Sequence, residues 1–200
     1  MTRLGDKCFL HALQRRVAGL VIGGSTLRNM TGPRGVDVAR QFCVNGDVLG
    51  RARRTQDFGV ELDALTSELT KALPVHTSWP DRSLWGPARK LLNLFLYEST
   101  FNHYLREQFE LEFIEQKLEV PLDSFVARGI LCDIHKYALQ FGLGRWCGVV
   151  HVTSEINSSY QAAALRIAEV RQLRCRAHLD LIYWRQDPPA GGCECHHHQG

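Results

Sequence analysis

Two residues of this sequence, Lys90 and Asp123, have side chains that could do chemistry together. Lys90 lies in "LWGPARKLLNLFL", near the start of an otherwise apolar segment. Asp123 lies in "VPLDSFVARGI", directly before a second apolar segment. A lysine amine that has lost its proton is a nucleophile. A carboxylate stabilises positive charge that develops in a transition state. We therefore ask whether the two residues are halves of one active site.

Each residue also has an ordinary structural interpretation. Asp123 precedes an apolar-periodic run, where aspartate commonly caps the N-terminus of a helix. Lys90 could be a solvated lysine of a first helical turn, although a helix N-terminus favours anions over cations. A nearby phosphate or an active site would explain a cation in that position. The capping role and a catalytic role of Asp123 do not exclude each other.

The elements that must position these residues are predicted to be helices. Residues 58–73 space their leucines at helical intervals, and Pro74 ends the run. The segment from Pro87 onward is apolar on nearly all sides, which is typical of a central helix. Residues 124–141 carry an apolar stripe behind Asp123. The candidate strands, "GLVIGG" and "CGVVHV", do not alternate, so the predicted fold class is all-α.

Composition and length restrict the broad classes of protein to which this sequence can belong. The 200 residues are 44% hydrophobic and 22% charged, which suits one large soluble domain or two small lobes. No apolar run reaches the roughly 18 residues that span a bilayer, and the N-terminus lacks a clean signal peptide. Seven scattered cysteines favour reduced thiols. We expect a cytoplasmic protein without membrane contact.

The C-terminal segment 187–200 is predicted to be disordered. It ends in "CECHHHQG", which has metal-binding residue types but lacks the spaced pairs of a structural zinc site. We therefore expect no metal.

The charge is unevenly distributed, although the formal net charge is only +3. The stretch "EQFELEFIEQKLEV" is acidic. "LRNMTGPRG" and "GRARRTQ" contain arginines without any acid, namely Arg28, Arg34, Arg51, Arg53 and Arg54. A basic face permits a polyanionic partner, and ordinary solvated surface is the alternative.

Three stretches of the chain resemble the signatures of the helix-hairpin-helix, or endonuclease III-like, DNA glycosylases. "GPARKLLNLFL" is similar to the family's G-x-G-R-K-x-x-N-x-x-L, with Arg89, Lys90 and Asn93 in matching places. "PLDSFVAR" resembles V-D-T-H-[IV]-x-R, with Asp123 at the catalytic aspartate. "LRNMTGPRG" resembles L-S-x-Q-[TA]-T, with Asn29 at the glutamine that fills the hole left by a flipped base. The three stretches follow the family order.

The chain departs from the family in two places. Ala88 replaces the second glycine of the hairpin, and Pro87 removes a backbone donor. The interval between Lys90 and Asp123 is longer than in endonuclease III-like members, by about "FNHYLREQFELEFIEQ". This insertion must loop out or lengthen a helix if the two side chains are to meet. The iron–sulfur cysteine spacing found in some members is absent from the C-terminal region, so we expect no cluster and no other cofactor.

The resemblance implies two helical lobes that contain a helix-hairpin-helix element and enclose a DNA-binding cleft. One lobe would comprise residues 30–122, and the other residues 1–29 and 123–186. Lys90 and Asp123 would be catalytic. The residues implied to contact DNA are Gly86, Ala88, Arg89, Asn29, Arg34 and Ser124. The residues implied to line the base pocket are Trp85, Tyr97 and Asn93.

The implied activity is that of a monomer that flips and excises a modified or damaged base from double-stranded DNA. Lys90 would add abasic-site lyase chemistry. The setting would be base-excision repair or defence against modified phage DNA. Two alternatives are a non-catalytic DNA-binding module and a helical interaction protein without nucleic acid. In an enzyme, Lys90 and Asp123 must share one pocket; in the alternatives they can point anywhere.

Overall fold

A computed structural model describes residues 7–27 and 29–184 of the protein, and within them the predicted all-α class is confirmed: every regular element is helical. The α-helices are α1 (Lys7–Val21), α2 (Gly35–Asn45), α3 (Val48–Arg54), α4 (Phe58–Ala72), α5 (Trp85–Phe101), α6 (His103–Gln108), α7 (Glu112–Glu115), α8 (Ser124–Lys136), α9 (Ser154–Val170) and α10 (Leu179–Tyr183). Short 3-10 turns occupy Val149–His151 and Arg176–His178. No described helix combines the length and apolarity needed to cross a bilayer. The tail 187–200, its Cys/His stretch and Arg28 lie outside the described residues.

Side-chain caps start several helices where the sequence changes from turn-forming to apolar residues. Asp57, Asn102 and Thr153 each accept backbone N–H groups at the start of α4, α6 and α9. The predicted cap at Asp123 is confirmed, because its side chain accepts two N–H groups of α8. These caps satisfy donors that a helix N-terminus would otherwise leave unpaired, and they define where each helix begins.

α5 is the central helix, as its apolar pattern predicts. It packs against α1, α2, α4, α6, α7 and α9. Its less buried residues include Lys90, Leu94 and Glu98, which recur every four residues and so lie on one face. α5 therefore presents a partly open stripe that carries two charged side chains.

Buried apolar side chains form two clusters. The first cluster contains residues of α1 to α7 with Leu118, Cys175 and Ala177. The second contains Val120, Leu122, α8, α9 and α10. The chain passes between the clusters at Glu119, close to the predicted boundary at residue 122, although the division into two lobes stays a prediction. One detail differs from that prediction: α1 packs on α2 and α5 in the first cluster, rather than with the C-terminal helices.

The secondary structure of three stretches adds to or differs from what the sequence predicted. The inserted "FNHYLREQFELEFIEQ" folds into α6 and α7, which an Arg106–Glu115 ion pair of 2.6 Å holds together. The candidate strands are the end of α1 and the 3-10 turn Val149–His151. α8 ends at Lys136, earlier than predicted, because Ala138 adopts left-handed backbone (φ 50°). The chain turns away from the helix axis there.

Gly129 allows α10 to lie close to α8. An added Cβ would overlap the ring of Tyr183, whose hydroxyl is tethered to Asp133 Oδ2 at 2.6 Å. We expect Gly129→Ala to lower the free energy of unfolding by about 1–3 kcal/mol, measured by urea denaturation. Gly142→Ala is the control, because a Cβ there meets nothing within 4 Å. Equal stability of the two variants would contradict this packing.

Candidate active site

Lys90 and Asp123 lie together, although they are 33 residues apart in the sequence. Lys90 Nζ is 3.3 Å from Asp123 Oδ2, and the two side chains are 12% and 15% exposed. The insertion between them has therefore folded without separating them. A pair that is mostly shielded but still reachable from solvent is a suitable place for a nucleophile and a carboxylate to meet one substrate.

The two carboxylate oxygens of Asp123 have different tasks. Oδ1 accepts the N–H groups of Phe125 at 2.9 Å and Val126 at 3.0 Å, and so caps α8. Oδ2 faces Lys90. The cap orients the carboxylate, which leaves its other oxygen directed at the amine. The structural role and the chemical role of Asp123 are thus compatible in one geometry.

A buried polar network holds the segment that leads to Asp123. Arg89 donates Nε and Nη2 to the two oxygens of Glu119, both at 2.8 Å. Asn93 and Asn157 donate their amides to Glu119 Oε2, each at 3.1 Å. The Gln161 side chain binds both backbone groups of Val120. Its Oε1 accepts the Val120 N–H at 3.0 Å, and its Nε2 donates to the Val120 carbonyl at 2.8 Å. Residues from α5 and α9 therefore fix the position of the chain just before Asp123 through hydrogen bonds.

The network keeps Glu119 ionised in the interior. Burial alone would raise the pKa of this carboxyl, but the hydrogen bonds and charge of Arg89 outweigh it, helped by Asn93 and Asn157. The net result is a pKa below the ordinary glutamate value. Glu119 therefore carries its negative charge throughout the neutral range, and Arg89 neutralises it.

Two residues implied by the resemblance belong to this network instead of the surface. Arg89 was expected to contact DNA, but its side chain is 6% exposed and also pairs with Asp63 at 2.7 Å. Asn93 was expected to line the base pocket, but it is buried and bound to Glu119. Both side chains are turned inward for the same reason: the buried carboxylate of Glu119 requires donors, and these two residues supply them.

Gly86 and Ala88, the residues of the expected backbone clamp, are both buried in the first turn of α5. Ala88 is fully buried, and its N–H donates to the Leu84 carbonyl at 3.0 Å inside the first turn of α5. Gly86 lies beneath the 3-10 turn, where an added Cβ would overlap the Val149 carbonyl oxygen. Gly86 is required for helix packing, and neither residue presents a free surface to a phosphate.

The expected aromatic lining of a base pocket is largely enclosed. Tyr97 is 3% exposed, and its hydroxyl lies 3.1 Å from His178 Nδ1. Burial raises the pKa of Tyr97, so it stays a neutral phenol. Trp85 is half-buried and packs on the second cluster, with the Arg89 guanidinium 5.5 Å from its ring centroid. Tyr97 therefore fits a structural role, while Trp85 retains some exposure.

Three of the residues implied to contact DNA are exposed. Ser124 begins α8 next to Asp123 and accepts the indole N–H of Trp146 at 3.3 Å. Asn29 and Arg34 lie in turns before α2 with positive φ, 57° and 65°. The Gly32 N–H donates to the Pro74 carbonyl at 2.7 Å, which ties this turn segment to the loop that leads into α5.

The arginines of the two basic stretches differ in whether they pair with carboxylates. Arg51, Arg53 and Arg54 are all neutralised by carboxylates, at 2.6–2.9 Å. Arg34 and Arg15 form no ion pair within the described residues, and both line a cleft of about 390 Å³ between α1 and α2. A second cleft of about 470 Å³ includes Glu119, and neither cleft is lined by Lys90 or Asp123. Arg15 and Arg34 are therefore exposed cations that could attract a polyanion, although Asp37 lines the same cleft.

Sequence reasoning missed Asp180, on α10. Asp180 is 8% exposed, and its carboxyl makes no hydrogen bond or ion pair within the described part of the chain. Burial, together with the charge of Asp123, raises its pKa to about 7; Lys90 acts in the opposite direction and Glu98 reinforces the rise. The available signal was an acid inside the otherwise apolar "HLDLIYW".

The Glu119 network can be tested by removing its charge. We expect Glu119→Gln to lower the free energy of unfolding by about 3–5 kcal/mol, because it leaves Arg89 buried without a full counter-charge. The matched control is Glu68→Gln, which breaks an Arg51 pair whose glutamate side chain is 48% exposed. That control should cost at most about 1 kcal/mol. Similar losses in chemical denaturation would contradict the special role of Glu119.

Asp180 should make stability depend on pH. Between the ordinary value of 3.8 and about 7, the folded protein keeps a proton that the unfolded chain has lost. Stability from this group therefore falls as pH rises through that window. Asp180→Asn should remove the penalty and gain about 2–4 kcal/mol over the wild type near pH 8, with a smaller gain near pH 5. Exposed Asp81→Asn is the control, and a pH-independent difference for Asp180→Asn would refute the assignment.

Comparisons with known proteins do not identify the function of this site. No family model matches the chain, and neither a curated protein nor a solved structure shows significant similarity to it. The likeness to helix-hairpin-helix glycosylases therefore depends on the three sequence stretches. The site itself is defined by Lys90, Asp123 and their supports.

Proposed function

We propose that the protein is a DNA glycosylase that excises a modified or damaged base, with abasic-site lyase chemistry at Lys90. The observation that carries the proposal is the 3.3 Å approach of Lys90 Nζ to Asp123 Oδ2. The motif order predicted that two residues so distant in sequence would meet. Chance motif matches in a helical interaction protein would not require it.

The geometry suits attack on one carbon of a sugar. Reacting atoms approach to about 3–3.5 Å before bond formation. Because Nζ and Oδ2 are 3.3 Å apart, a single sugar carbon can lie near both. Asp123 would then stabilise the positive charge that develops as the glycosidic bond breaks. Neutral Lys90 would add to the same carbon and form a Schiff base, from which β-elimination nicks the strand.

Base excision also requires DNA binding and base extrusion. Arg15 and Arg34 are exposed, lack carboxylate partners among the described residues, and lie beside the turn that carries Asn29. These charges are the proposed phosphate contacts, and Asn29 is the proposed residue for the vacated base position. The neutralised arginines of α3 are not included. The proposal therefore depends on a basic surface different from the hairpin that the family uses.

The proposal predicts separate effects of Asp123 and Lys90 on DNA. Purified protein is incubated with duplexes that each carry one base: 8-oxoguanine, thymine glycol, uracil, 3-methyladenine, or hydroxymethylcytosine with and without glucose. Asp123→Asn should lower base release by at least about 10²-fold, while keeping the helix cap that Asn can also form. Lys90→Gln should abolish borohydride trapping, since no amine remains to form the Schiff base.

Matched controls separate chemistry from folding. Asp57→Asn alters an α4 cap that also accepts two backbone N–H groups and forms no ion pair with a lysine among the described residues, and Lys71→Gln removes an exposed lysine of α4. Both should retain activity. Base release that survives in Asp123→Asn would refute the catalytic assignment. Salt-sensitive DNA binding without any release would favour the non-catalytic module, and absence of binding would reject the nucleic-acid proposal.

A further inference from the structure

The chain that leaves α8 passes beside the candidate site. Residues 139–148 form no regular element, and two hydrogen bonds hold them in place. Trp146 Nε1 donates to Ser124 Oγ at 3.3 Å, and the Tyr160 hydroxyl of α9 donates to the Gly144 carbonyl at 3.3 Å. Because Ser124 directly follows Asp123 in the chain, the first of these bonds places the indole next to the site.

Trp146 is anchored within the fold and still accessible from solvent. Its ring meets the ring of Tyr160 edge-to-face, with centroids 5.5 Å apart, and it packs on the second apolar cluster. Trp146 nevertheless stays partly exposed, and its chain neighbours Arg145 and Cys147 are exposed. An indole that a hydrogen bond positions, and that keeps accessible surface, can bind a second flat ring.

The surface around this segment is basic. Across α8 and residues 139–148 the sole acidic residue is Asp133, which Arg171 neutralises at 2.7 Å. Arg145 is exposed, and its side chain forms no ion pair or hydrogen bond within the described residues. Arg128, one turn beyond Ser124 on the same face of α8, is exposed and equally unpaired there. Guanidinium groups without a carboxylate partner are suited to bind phosphate.

A nucleotide whose sugar reaches Lys90 and Asp123 needs a surface for its base. The base is bonded to the sugar carbon that would react, so it must lie close to Asp123. Tyr97 cannot receive it, because that residue is only 3% exposed. Trp146 is accessible, and its hydrogen bond connects it to the residue that follows Asp123.

Resting on the DNA binding of the proposed function, we propose that residues 142–147 receive the nucleotide that is extruded at the candidate site. Trp146 stacks on its base, and Arg145 binds a phosphate of the same strand. The indole N–H stays on Ser124, so that stacking needs no rearrangement of the segment. Every base has an aromatic face, and this surface therefore selects extruded nucleotides without reading sequence.

A purely structural Trp146 makes a different prediction. It would only cover Tyr160 and close the second cluster, so that its replacement would lower stability and affect all DNA duplexes alike. Stacking instead predicts a difference between a duplex whose target base leaves the helix easily and one whose bases are all paired. A mismatched base is the suitable probe, because its extrusion costs least.

The test measures the affinity of the full chain for two duplexes by fluorescence anisotropy. One duplex is fully paired, and the other carries a mismatched 2-aminopurine in the same sequence. Wild type should prefer the mismatched duplex. Trp146→Leu should bind that duplex about 10-fold more weakly and the paired duplex within about twofold of wild type. Trp146→Phe should keep most of the preference, because a phenyl ring still stacks, and it guards against loss of folding in the leucine variant.

Arg145 has a separate signature in the same assay. Arg145→Gln should weaken binding to both duplexes alike and lower the slope of log affinity against log salt by about 1. The matched control is Arg166→Gln, because Arg166 is an exposed arginine of α9 that Glu169 already neutralises at 2.7 Å. Wild-type affinity and salt dependence in Arg145→Gln would overturn the role of Arg145.

The failure of each proposal can be recognised. A wild type that binds both duplexes alike, or equal effects of Trp146→Leu on both, would overturn the role of Trp146; base release could still support the glycosylase. A preference that depends on Trp146, in a protein that releases no base from any lesion duplex, would reject the glycosylase and leave the surface to a non-catalytic DNA-binding module. Absence of DNA binding would reject both proposals.

Discussion

The buried charge of Glu119 is the constraint on which the rest of the candidate site depends. Glu119 lies where the chain leaves the first apolar cluster and enters the second. An unpaired carboxylate in that position would cost several kcal/mol. It is satisfied from both sides, by Arg89 and Asn93 of α5 and by Asn157 of α9. The two clusters are thereby joined by directional hydrogen bonds as well as by apolar contact.

The position of Asp123 follows from this junction. Only a short segment connects Glu119 to Asp123, and Gln161 binds both backbone groups of Val120 within it. The carboxylate therefore reaches α5 at the level of Lys90 and cannot drift along it. Arg89 and Lys90 are neighbours in sequence, but helical geometry turns successive side chains by about 100°. One enters the interior network and the other faces the partly open stripe.

One buried carboxyl, Asp180 of α10, lacks a hydrogen bond or ion pair among the described residues, and burial raises its pKa to about 7. The other buried carboxylates of the described residues are paired, Glu115 with Arg106, Glu119 with Arg89 and Asp133 with Arg171. Natural proteins tolerate locally unfavourable groups mainly where function requires them. Asn93 Oδ1, inside the Glu119 network, is also buried and lacks a hydrogen-bond partner among the described residues.

Local sequence information predicted the all-helical class, the central position of α5 and the helix cap at Asp123. These features depend on residues within a few turns of one another, which the apolar period and the capping residue record directly. The motif order also singled out Lys90 and Asp123. It did not predict the placement of α1, because an amphipathic helix does not specify the surface that it covers.

The sequence by itself determined which residues could act, and the tertiary structure decided which of them are free to do so. Arg89, Asn93 and Gly86 match a DNA-binding signature, but Glu119 binds the first two side chains and Gly86 packs against the Val149 carbonyl. Asp180 matches no signature, and yet burial in the folded chain raises its pKa to about 7. These contacts join residues that are 26 or more positions apart, as with Asn93 and Glu119. Local propensity carries no record of such contacts, so only the folded chain reveals them.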